Sequence, residues 1–193
     1  KMPAIWPILA MMTVNYLPSA GLRGLWIGPY YADVFGADTG RIGQVTLVMG
    51  LAMVVGNFAY GPLDRVLGTR KWLIFWGNML CAAAILMLWA FPGMGDWRTV
   101  ALLAAVGLFG ASFPMIMAHG RAFFPPHLVG RGVTLMNLFG IGSIGVAQLV
   151  TGRLHAAVAP GPPEAPYAAL FLFFGLVMLV GCLIYLASQD RTD

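Results

Sequence analysis

Long apolar runs, separated by short polar connections, set the pattern of this chain. Six runs are each long enough to cross a bilayer. They cover residues 4–31, 42–60, 72–95, 99–118, 132–152 and 165–188. The first carries a single charge, Arg23, and the other five carry no Asp, Glu, Lys or Arg. A hydrocarbon core about 30 Å thick takes about 20 apolar helical residues to span. In lipid, backbone groups must bond within their own segment, which leaves helices or a closed barrel. These runs are about twice the length of a barrel strand and do not alternate, so the pattern predicts an all-α integral membrane protein with six transmembrane helices.

The connections are turn-like: "DVFGADTGR", "GPLDRVLGTRK", "FPGMGDWR", "HGRAFFPPHLVGR" and "VAPGPPEAP". Composition agrees. The chain is 60% hydrophobic and 9% charged, well below the quarter or so usual for soluble domains, so the surplus apolar surface is expected to face the lipid bilayer. Cys81 and Cys182 stand alone inside apolar runs and read as small buried hydrophobes, not as a disulfide framework or metal site. The net charge of +4 is scattered, with no basic stripe, so nucleic acid is not an expected partner. The opening "KMPAIWP" lacks the features of a signal peptide and reads as a start partway through a longer protein.

Six crossings put both termini on one side. That side holds Lys1, Arg65, Arg70, Lys71, Arg121, Arg131 and Arg191, against Arg41, Arg98 and Arg153 on the other, with Arg23 approaching it. The excess predicts cytoplasmic termini. The charge cluster between helices 2 and 3 is then a cytoplasmic hairpin.

The order of residues in that hairpin is more specific. "GPLDRVLGTRK", Gly61 to Lys71, resembles the cytoplasmic loop motif of the major facilitator superfamily, roughly G-x-L-A-D-R-x-G-R-[RK]. Gly61, Leu63, Gly68 and Arg70 match in register. Asp64 falls one place early, Arg65 stands where the family has its aspartate, and Thr69 replaces an arginine. "GRAFFPPHLVGRGVTLMN", Gly120 to Asn137, is similar to the family's loop between helices ten and eleven. "GLRGLWIGPYYADVFG" more loosely resembles a seventh helix. The resemblance implies one half of a twelve-helix fold, built as a 3+3 inverted repeat, with the amino-terminal half absent from this chain. It also implies that Gly61, Asp64, Arg65, Gly68, Arg70 and Lys71 form a gating loop, in which the glycines let helix ends approach and Asp64 sits near the start of helix 3.

Polar residues inside the membrane are costly and mark candidate sites. In helix 1, Asn15, Ser19 and Arg23 recur every four residues, with Trp26 and Tyr30 close to the same face. Pro18 and Gly21 interrupt this helix, and broken helices with convergent polar groups mark binding sites in transporters. In helix 5, Asn137 and Gln148 are eleven residues apart and differ by only about 20° around the axis, with Thr134 and Thr151 nearby. Asn15, Ser19, Arg23, Trp26, Asn137 and Gln148 are the expected cavity residues, and Arg23 points to an anionic small-molecule substrate. Ser112 and His119 share a face of helix 4, where His119 reads as an interfacial histidine. Helices 3 and 6, nearly free of polar side chains apart from Asn78, read as lipid-facing.

No catalytic constellation, metal-ligand cluster or phosphate-binding Gly-Lys-Ser/Thr loop is present in the sequence, so no enzymatic role and no cofactor are expected. The helix interiors hold no carboxylate to carry a coupling proton. The family resemblance implies the carboxy-terminal half of a secondary active transporter working by alternating access, in a bacterial inner membrane. The alternative is a non-transporting six-helix membrane subunit or assembly factor.

Overall fold

The computed structural model describes residues 3–191; Lys1, counted above on the side of the termini, lies outside them. Within that range the chain is helical. A 3-10 turn, Pro3–Ile5, leads into α1 (Trp6–Asn15) and α2 (Leu17–Gly21). A π-helical turn, Leu22–Trp26, follows, and then α3 (Ile27–Phe35). The remaining helices are α4 (Thr39–Leu67), α5 (Arg70–Ala90), α6 (Asp96–Gly110), α7 (Phe113–Arg121), α8 (Val129–Val158) and α9 (Ala165–Tyr185).

The expected first helix, 4–31, is thus four consecutive pieces. Pro18 offers no amide to the carbonyl of Val14, and the chain steps at Tyr16, whose amide turns back to that carbonyl. The wider π turn then carries Arg23. Such turns are rare and recur at functional sites. The expected fourth helix, 99–118, is likewise two, α6 and α7, offset at Ala111–Ser112 two residues before Pro114. Among the described residues, five continuous stretches have the length and apolarity of membrane spans: Thr39–Leu67, Arg70–Ala90, Asp96–Arg121, Pro126–Val158 and Ala165–Tyr185.

The largest boundary correction falls on "GPLDRVLGTRK". The sequence reads as a turn from Gly61 onward, yet α4 continues unbroken to Leu67. Pro62 costs only the bond to the carbonyl of Phe58, and packing carries the helix past it. The chain stops at Gly68, which adopts the left-handed conformation (φ 62°) and returns its amide to Asp64 O at 2.9 Å. Thr69 then caps α5, accepting from the Trp72 amide. The connection is therefore two residues long. The fifth helix also outruns its expected span of 132–152, reaching 30 residues in α8.

The helices close around one core. α4 packs on α6, α5 on α9 and α6, and α1 on α8 and α9. Gly56 shows how close the α4–α6 contact is: a methyl group there would stand 2.3 Å from the carbonyl oxygen of Leu108. The reading of helices 3 and 6 as lipid-facing is corrected by half. α5 and α9 pack on each other and on the core, burying Asn78, Cys81, Phe174 and Cys182, while Trp76, Leu80, Leu176 and Leu183 point outward. An all-apolar helix gives no periodic cue to which face is inward. The most exposed spans are α4 and α8, where the apolar window is 22% and 17% buried, against 50% in α5.

Candidate functional site

Three groups of polar residues stand out, and they lie at different depths. The first is buried in the bundle where the first crossing steps. Asn15 Nδ2 donates to Asn78 Oδ1 at 2.7 Å and to Ser112 Oγ at 2.9 Å. Asn78 Nδ2 donates to Ser112 Oγ at 2.9 Å and to Ile74 O at 2.8 Å. All three side chains are fully buried, as is Ser19, which lies against Gly110. This corrects the expectation that Asn15 and Ser19 line a cavity. Their four-residue spacing does place them on one face, but that face turns toward α5, α6 and α7. The network joins three crossings by side-chain bonds that water does not compete for. In the sequence Asn78 stands out only as a lone polar residue of helix 3, and no local signal pairs it with Asn15 across 63 positions.

The second group starts one turn farther along. Arg23 is exposed, and a methyl group added to Gly50 of α4 would stand 3.1 Å from its Nη1. Gly50 is eight residues from Ile42 and ten from Tyr60, the ends of the charge-free run. At about 1.5 Å per residue, that puts Gly50 about 12 Å from one end and about 15 Å from the other. The guanidinium therefore lies beside the middle of the charge-free run of α4. Trp26 points the other way. It is buried, its Nε1 donates to Thr151 Oγ1 of α8 at 3.2 Å, and its ring stacks on His155 at 4.8 Å. Trp26 ties the π turn to α8 and leaves Arg23 on the open side. On α8, Gln148 and Thr134 are exposed and Asn137 is half-buried, whereas Thr151 turns inward to Trp26. Sequence reasoning did not single out His155, whose stacking on Trp26 joins residues more than a hundred positions apart.

The third group is the loop motif. Arg70 Nε pairs with Asp64 Oδ2 at 3.1 Å, and both side chains are 18% exposed. Arg65 points into the surroundings. The segment after α9 folds back over this turn. Asp190 Oδ1 accepts from the Lys71 amide at 3.0 Å and its Oδ2 from the Thr69 hydroxyl. Lys71 Nζ in turn donates to Leu186 O and Ser188 O, each at 2.7 Å. The exchange is reciprocal: a carboxylate completes the N-terminus of α5, and an ammonium completes the C-terminus of α9. Partial burial pushes the Asp190 carboxyl up. The Thr69 hydroxyl, the Lys71 amide, His119 and the Arg70 amide outweigh it and hold the group below its ordinary value of 3.8. His119 is buried beneath this clasp, not interfacial. Its Nε2 donates to Gln189 O at 2.9 Å, since a carbonyl can only accept, and its Nδ1 accepts from the Tyr185 hydroxyl at 2.7 Å.

The structure thus has a broken first crossing, an exposed arginine on its π turn and a capped two-residue turn between the second and third crossings. The family model of the Major Facilitator Superfamily matches residues 8–193. The chain belongs to the Major Facilitator Superfamily. No curated relative matches it. Membership and the membrane-length apolar helices make the chain an integral membrane protein in a lipid bilayer, with the all-helical architecture of a superfamily half and the transporter function of that superfamily. Among the described residues no group of three His, Cys, Asp or Glu side chains could hold a metal ion.

Proposed function

We propose that this chain is the carboxy-terminal half of a secondary active transporter that moves a small anionic solute by alternating access. Its amino-terminal half would supply the opposing wall. One observation carries the reading: Arg23 stands on an exposed position of a π turn against Gly50, beside the middle of the charge-free run of α4, which in this reading is mid-membrane depth. An arginine at that depth is stable only beside a water-filled cavity or an anion, since facing hydrocarbon costs several kcal/mol. Arg23, Gln148 and Asn137 are the cavity residues this arrangement supports. Asn15, Ser19 and Trp26 hold the broken crossing that presents Arg23. The exposed spans α4 and α8 offer the apolar faces against which a second half would pack. In this reading both termini of the segment are cytoplasmic, the membrane is a bacterial inner membrane, and the turn at Gly68 gates the cytoplasmic side.

Counterflow in proteoliposomes tests the proposal. The full-length protein should exchange an anionic solute saturably, and Arg23→Gln should abolish that exchange while a vesicle-integrity control is unchanged. Residues 1–193 alone should exchange nothing, because one wall leaves the cavity open to lipid. Robust exchange by the 1–193 fragment as a monomer, or by the Arg23→Gln protein, would contradict it.

A further inference from the structure

A cavity of about 330 Å³ opens at the Gly68 end of the bundle, between the start of α5, the last turn of α7 and the start of α8. Its wall is Arg70, Ala118, Arg121, Ala122 and Val129. Two of these five are guanidinium groups and none is a carboxylate. Arg70 uses only its Nε toward Asp64. Among the described residues, its two Nη groups and the whole fork of Arg121 have no hydrogen-bond partner. Ala118 and Ala122 are one helical turn apart and keep the floor clear of bulk, while Val129 adds an apolar side.

The charge around the cavity has the same sign. Among the described residues, this end carries Arg65, Arg70, Lys71, Arg121, Arg131 and Arg191 against Asp64 and Asp190, six positive to two negative. The opposite end carries Arg41, Arg98 and Arg153 against Asp33, Asp38, Asp96 and Glu164, three to four. The field thus favours an anion here and not there. Guanidinium forks match tetrahedral oxyanions with paired, charge-assisted bonds. Basic pockets between transmembrane helices take phospholipid headgroups.

We propose that this cavity binds a phosphate group, held by the Nη groups of Arg70 and the fork of Arg121. The phosphate belongs either to the headgroup of an anionic phospholipid at the edge of the bilayer or to free phosphate in solution. The site stands apart from Arg23 and does not depend on whether the chain transports anything.

The test uses the full-length protein, first in vesicles of phosphatidylglycerol and phosphatidylcholine, then extracted into detergent for native mass spectrometry. A parallel arm measures thermal unfolding with inorganic phosphate. Arg121→Gln removes the partner-free fork without touching the Asp64 pair. Ala118→Phe fills the floor and changes no charge. Arg131→Gln removes a charge at the same end but outside the cavity. The parent should retain phosphatidylglycerol through detergent; Arg121→Gln and Ala118→Phe should each lower retention about tenfold, and Arg131→Gln by less than about twofold. If the source is free phosphate, inorganic phosphate raises the unfolding temperature of the parent and of Arg131→Gln, but not of Arg121→Gln or Ala118→Phe. Absence of both lipid retention and a phosphate shift in the parent would overturn the site. So would unchanged binding in Arg121→Gln and Ala118→Phe, or an equal loss in Arg131→Gln.

Discussion

Arg70 reaches back across the two-residue turn to Asp64, so one ion pair joins the last turn of α4 to the first turn of α5. Asp64 falls one place early against the family pattern, yet the helical extension of α4 brings it into reach of Arg70. Position in three dimensions replaces position in the motif.

Loss of this pair should act on conformational balance more than on binding. Asp64→Asn keeps an acceptor for Arg70 but removes the charge. With about 1–3 kcal/mol of coupling between the turn and the cavity, the transport rate should fall several-fold while substrate affinity changes less. Initial uptake rates beside equilibrium binding in the full-length protein decide the point. An unchanged rate at normal expression would make the pair a hairpin fastener only.

The Asp190 clasp should show itself in acid. The folded-state carboxyl is held below its ordinary value, so its contribution is present above about pH 4 and is lost as pH falls through the folded value. Asp190→Asn lacks that contribution throughout. Thermal unfolding should therefore favour the parent at neutral pH, by an amount of the order of an exposed charge at a helix N-terminus, about 0.3–1 kcal/mol, with the gap closing below about pH 4. A gap that persists at low pH would mean that the carboxylate is not the group responsible.

Much of the fold was legible, and the misreadings share a cause. The six apolar runs gave the crossings because lipid leaves the backbone no other way to satisfy itself. Turn residues misled where packing outweighed them: Gly61-Pro62 reads as a stop, but only Gly68 takes a backbone conformation that ends the helix. Four-residue spacing correctly grouped Asn15 with Ser19 but could not say which neighbour their face meets. The same spacing groups Arg23 with Asn15 and Ser19, but the π turn that carries Arg23 breaks the register, so Arg23 is exposed where the other two are buried. The buried network of Asn15, Asn78 and Ser112 and the tie from Trp26 to Thr151 are long-range pairings that single-sequence periodicity does not carry.

Two glycines of α4 should respond in opposite ways to alanine. Gly56→Ala puts a methyl group 2.3 Å from the Leu108 carbonyl and forces α4 from α6, costing about 1–3 kcal/mol of stability. Gly61 has nothing within 4 Å of the same added methyl, so Gly61→Ala should be neutral or stabilising by up to about 1 kcal/mol. If Gly61→Ala nonetheless slows transport in the full-length protein, the glycine serves an approach by the other half. Destabilisation of residues 1–193 by Gly61→Ala would contradict the packing described here.

The central claim is that Arg23 faces a water-filled cavity at mid-membrane depth, and cysteine accessibility in the full-length protein measures it most directly. Cys81 and Cys182 are fully buried and serve as silent controls. Leu80→Cys, on the outward face of α5, reports lipid, where a thiol stays protonated and unreactive. Arg23→Cys should react with a hydrophilic, membrane-impermeant thiol reagent from at least one side, at least about tenfold faster than Leu80→Cys, and an anionic substrate should slow the labelling. Labelling of Arg23→Cys from neither side, or no faster than Leu80→Cys, would contradict the account.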